Sequence, residues 1–187
     1  MPAGRRAPLV VFVPQYLGGP NQWTPLVVAM HDAGFASFRF DLRNFGELDE
    51  RIDARDVRAA VRALRSRVDA SAIAVVGSGV GGSTASWLAG MPPRMPGLRA
   101  AVAISPVDGP RMLRAAARGR FHPRDELVVI GRRDQRRFIA HTGDVRFRAV
   151  PSRRVGAALL RDPRVRELVV SWVRARVTFR ARRGSSR

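Results

Sequence analysis

The sequence predicts an α/β protein, a three-layer α/β/α sandwich built on a mostly parallel sheet. Two observations carry this expectation. Short, wholly apolar runs recur along the chain, as strands buried on both faces require. Between them lie stretches with helical spacing of apolar residues, the pattern of crossover connections.

Leu9–Val13 is the first such run and stops at Pro14. A Gly/Pro/Asn loop follows from Gln15 to Gln22, and Pro25 then opens a helix that Gly34 ends. Ala36–Phe40 is strand-like. After an acidic loop from Gly46 to Glu50, Ile52, Val57, Ala60, Val61 and Leu64 fall on one helical face. Arg55, Arg58, Arg62 and Arg65 fall on the other and read as solvated. Ala72–Val76 forms the third run, entering a glycine turn and then a helix over Ser83–Leu88. Ala100–Ile104 and Leu127–Ile130 are the fourth and fifth. Val145, Phe147 and Ala149 alternate with Arg146 and Arg148, as in a half-exposed strand near a sheet edge. Val165–Val177 reads as a terminal helix with Leu168, Val169 and Trp172 inward. A single domain is expected over residues 1–178, with a flexible Arg-rich tail over 179–187. Phe147 and Trp172 are expected in the core.

Composition bounds the chemistry. The 187 residues suit one domain with a full core. The longest uninterrupted apolar runs have five residues, whereas a membrane span needs about 20. The absence of cysteine rules out disulfides and thiolate metal ligands. A cytoplasmic location is the expectation. All 34 basic residues are arginine, and the formal net charge is +19. Residues 1–93 hold 10 Arg against 8 acids, and residues 94–187 hold 24 against 7. That asymmetry points toward an anionic ligand or an acidic protein partner, set against an arginine bias that carries no function. A nucleic-acid partner is less favoured, because stacking aromatics are sparse in the basic half.

An open α/β sheet keeps its ligand site on the loops after the strands. The informative loop is Gly77-Ser78-Gly79-Val80-Gly81-Gly82. Gly77, Gly79 and Gly82 spell a G-x-G-x-x-G, whose backbone N–H groups can approach a pyrophosphate. The ribose-binding acid that should end the next strand is missing, since that strand ends Ile104-Ser105-Pro106. Gly77 and Gly81 also fit the two glycines of a G-x-S-x-G elbow, with Gly79 where the serine belongs.

The surroundings favour the elbow, and the chain resembles the α/β-hydrolase family along nearly its whole length. Val10–Pro14 (VVFVP) looks like the strand leading into that family's oxyanion loop, with Trp23 beyond it. Gly34–Gly46 (GFASFRFDLRNFG) is similar to the strand and D-x-R-G-x-G loop. Val128–Asp134 (VVIGRRD) resembles the strand that supplies the acid, and Val150–Gly156 (VPSRRVG) the segment presenting the histidine. The resemblance implies an acid at Asp134, a lost nucleophile at Gly79 and a lost histidine at Val155. It places oxyanion donors at the backbone of Tyr16 and Val80, beside Pro14-Gln15-Tyr16 where His-Gly-x is usual.

A serine hydrolase needs a nucleophile and a base, so the expectation is a pseudohydrolase without cofactor or metal. It would act by binding, with Gly77, Gly81, Gly82, Arg114 and Arg118 as ligand contacts. The alternative is an ester or acyl hydrolase with a rearranged nucleophile, Ser78 with His141. Ser83 is expected to bond backbone, His31 to sit at the surface, and His122 to lie at the wrong end of the sheet. The stretch with Arg111, Arg114, Arg118, Arg120 and Arg124 would, as a helix, cover the cleft mouth.

Overall fold

In the computed structural model, β-branched and small apolar residues pair into one six-stranded sheet, with every pairing parallel. The structure describes residues 6–41, 49–107, 114–115, 118, 120, 122, 124–132 and 145–183. The strands are β1 (Pro8–Val13), β2 (Ala36–Arg39), β3 (Asp69–Ser78), β4 (Leu98–Ile104), β5 (Glu126–Gly131) and β6 (Val145–Val150). Their spatial order is β2-β1-β3-β4-β5-β6. The helices are α1 (Thr24–Asp32), α2 (Glu50–Leu64), α3 (Val80–Gly90) and α4 (Pro163–Arg183), with a short 3-10 turn over Gly156–Arg161.

Strand alternation splits the core into two layers. Val10, Phe12, Val76, Val102, Ile104 and Val129 face α1 and α4, packing with Trp23, Leu26, Met30, Val169 and Trp172. Val11, Val13, Ile73 and Val75 face the other way, onto Ala54, Val57, Val61, Ala85 and Leu88 of α2 and α3. Each large side chain buried in this way contributes about 1.5–3 kcal/mol. The Asp49 carboxylate starts α2 by accepting hydrogen bonds from the N–H groups of Arg51 and Ile52.

Three expectations need correction. Helix α3 begins at Val80, three residues ahead of Ser83, because Val80-Gly81-Gly82 are held helical by packing despite low helix propensity. Phe147 is 37% exposed and not core, since β6 is the last strand of the sheet and has exposed residues on both faces. Residues 179–183, assigned to a flexible tail, continue α4 as helix. No helix among the described residues is long and apolar enough to cross a membrane.

Candidate functional site

The turn after β3 is built by glycines with no room for a side chain. A Cβ on Gly77 would overlap the Gly81 carbonyl, and one on Gly81 would overlap the carbonyls of Val13 and Pro14. These approaches press the first turn of α3 against the end of β1. Gly79 sits between them at φ 55° and ψ −121°, a conformation costing a non-glycine residue about 1–3 kcal/mol. Its N–H donates to the Ile104 carbonyl at 3.0 Å. This geometry is a strand-turn-helix elbow in backbone, with a glycine at its tip.

Gln15 occupies the space above. A Cβ on Gly79 would stand 3.0 Å from the Gln15 Cβ. The Gln15 Oε1 accepts from the Ser78 hydroxyl at 3.1 Å and from the Ala157 N–H at 3.1 Å. One amide thus ties the first loop to the elbow and to the segment after β6. A Cβ on Gly156, at φ 59°, would collide with the same Oε1 and lie 3.3 Å from the Ser78 Oγ. Val155, next in line, is 47% exposed. The structure therefore brings Gly79, Ser78 and the Gly156–Ala157 backbone together around Gln15, a residue the sequence reading quoted but gave no role.

The remaining candidates divide. The Tyr16 and Val80 N–H groups have no hydrogen-bond partner among the described residues. Ser78 is fully buried, with its hydroxyl given to Gln15. The Ser83 hydroxyl meets the Val107 carbonyl and accepts from the Val107 N–H at 3.0 Å, a backbone link of the expected kind. His31 pairs with the Ser37 hydroxyl at 2.9 Å at the surface. The His122 N–H reaches the Gly90 carbonyl at the end of α3, away from the elbow. Asp134 and His141 lie outside the described residues, as does Arg111.

Arg114 and Arg118 fall elsewhere than over the cleft. With Arg120, Arg51, Trp87, Met91 and Ala115 they line an open cavity of 280 Å³. Ala115 packs on Trp87 and Met91, on the outer flank of α3. Trp87 is seven residues beyond Val80, about 10 Å along the helix at 1.5 Å per residue. Four arginines line it among the described residues. Sequence reading missed Arg51, which α2 delivers from more than sixty residues away along the chain.

Two acids were also missed. The Asp53 Oδ2 accepts from the Thr84 hydroxyl at 3.2 Å between α2 and α3. Glu126, fully buried at the start of β5, accepts from the Ser86 hydroxyl, and its Oε2 has no hydrogen-bond partner among the described residues. Burial pushes its carboxyl up from the ordinary 4.5 to about 7, against the smaller opposing effect of the Ser86 hydrogen bond.

A parallel sheet with crossover helices and a strand-elbow-helix after β3 defines the α/β-hydrolase class of folds. The alpha/beta hydrolase fold family profile matches residues 8–123, and the chain belongs to that family. A solved structure described as "The structure of DcsB complex with its substrate analogue" superposes with a TM-score of 0.60 at 12% identity. The match covers 93% of this chain and 92% of that one, a likeness of fold. A search of curated proteins finds no match.

Proposed function

We propose that this protein is a hydrolase-fold protein without triad chemistry, acting by binding a small anion. The observation that carries the reading is Gln15. Its side chain fills the space between Gly79 and Gly156, where nucleophile and base would have to meet. Gly79 has no side chain to attack with, and Ser78 points its hydroxyl into a buried hydrogen bond. The N–H groups of Tyr16 and Val80, which have no partner among the described residues, would then have no oxyanion to hold.

The cavity beside Trp87 supports the binding half of the proposal. Arginine suits anions because its fork of donors binds two oxygens of a carboxylate or phosphate at once. Arg51, Arg114, Arg118 and Arg120 present such forks around an indole. An anion there would relieve their mutual repulsion. An acidic protein surface would satisfy the same charges.

Intact-mass analysis after incubation with a fluorophosphonate tests the first half. The expected result is an unmodified chain; a stoichiometric adduct would overturn the reading and locate a working serine. For the second half, pyrophosphate should raise the melting temperature of the wild type and not of Arg118→Glu. An equal rise in both would remove the cavity from the proposal.

A further inference from the structure

The arginines on the outer face of α2 do not stand alone in solvent. Arg58, Arg62 and Arg65 rim a second cavity of 310 Å³ whose floor is Val61, Ala70, Met95 and Pro96. Its place is set by the end of α2, the start of β3 and the loop before β4. It therefore lies at the amino ends of the strands, opposite the elbow. Val61 and Met95 belong to the buried core layer under α2, so the floor is fixed by packing. Arg58 is half-buried, and its Nη2 donates to the Pro93 carbonyl at 2.9 Å, which holds the guanidinium over the floor. Arg6 stands beside Arg65, its Nη1 donating to the Arg65 carbonyl at 3.2 Å.

This combination is unlike a solvated helix face. A helix surface that serves only solubility spreads its charges and covers apolar atoms with their stems. Here the arginines share a cavity with Ala70, Pro96 and the edges of the buried Val61 and Met95. Burial, and to a smaller degree the neighbouring charge of Arg62, push the Arg58 guanidinium below its ordinary pKa. The two halves of the cavity ask for two halves of a ligand. Forked donors take a carboxylate or phosphate head, and the floor takes a short apolar body.

We propose that the cavity between α2 and the Met95–Pro96 loop binds a small amphiphilic anion. Arg58, Arg62 and Arg65 hold its carboxylate or phosphate head, and Val61, Met95 and Pro96 contact an aryl or short acyl body. The site is separate from the one beside Trp87 and does not depend on it.

Methionine-methyl NMR separates the two sites, because Met95 lines this cavity and Met91 lines the other. Phenyl phosphate, octanoate and inorganic phosphate would be titrated into the full chain. Phenyl phosphate or octanoate should shift the Met95 methyl saturably, and the tighter of the two identifies the head group. Inorganic phosphate should bind at least about tenfold more weakly, since it cannot use the floor, a difference of about 1.4 kcal/mol. Arg62→Gln should weaken the Met95 response at least about tenfold, and Arg118→Gln should leave it unchanged. Arg62 and Arg65 are exposed, so Arg62→Gln and Arg65→Gln leave the core intact. A silent Met95 methyl, equal affinity for inorganic phosphate, or an unchanged response in both α2 variants would overturn the proposal. A response of Met91 alone would overturn it while leaving the reading of the Trp87 cavity standing.

Discussion

The carboxyl ends of the strands and the helical flank of α2 and α3 handle charge in opposite ways. At the elbow, the described groups that meet are a glycine, an amide, a buried serine hydroxyl and the Val155–Gly156 backbone. On the flank lie two arginine-rimmed cavities, the Asp53–Thr84 bond and a buried glutamic acid. The difference teaches that the elbow's backbone does not depend on its chemistry. Gly77 is required because β3 and α3 approach through it, and Gly81 because α3 and the end of β1 do, whatever residue stands at 79.

The largest effect should come from breaking that approach. Gly77→Ala drives a methyl group into the Gly81 carbonyl, which is backbone and cannot swing aside. A loss of about 4 kcal/mol in urea denaturation is expected. A loss under about 1 kcal/mol would mean the elbow is adaptable and its shape no product of close packing.

The next effect belongs to the flank. The Glu126 carboxyl titrates near 7 in the folded chain and near 4.5 when unfolded. Between those values the unfolded chain holds fewer protons, so stability falls as pH rises. It is fully present below 4.5 and has dropped by about 3 kcal/mol above 7. Glu126→Gln should abolish this slope and raise the melting temperature at pH 8. A wild-type chain equally stable at pH 5 and pH 8 would show that Glu126 is not desolvated.

The smallest effect returns to the elbow. Gly79→Ser places a side chain at positive φ and 3.0 Å from the Gln15 Cβ. It should cost about 2 kcal/mol of stability and create no hydrolysis of a p-nitrophenyl ester. Turnover by this variant would mean that a base stands within reach and that the two regions are less distinct than described.

The fold was legible because burial on both faces writes itself locally, in runs such as Leu9–Val13 and Ala100–Ile104. The glycine turn after β3 was legible for a related reason, since Gly77, Gly79 and Gly81 sit in one short stretch of strand and loop. Gln15 was not. Its partners lie 63 and 142 residues away, and nothing near Gln15 in the chain indicates them. The outward face of the α2 arginines was legible, with Arg55, Arg62 and Arg65 exposed, while the cavity they line was not, because Met95 and Pro96 come from a distant loop. Phe147 fits an alternating strand, and only the absence of a further neighbour among the described residues leaves it exposed.

That open border has a consequence for how copies of the protein meet. Strand β6 pairs with β5 alone among the described strands, so its outer side could serve as a template for another chain. Arg146 and Arg148 are both exposed on it, in a strand of six residues. Two such strands laid edge to edge would bring four guanidinium groups into one short ribbon, with no acid in the strand to offset them. Such a meeting would set arginine against arginine, a charge pattern that disfavours edge-to-edge pairing.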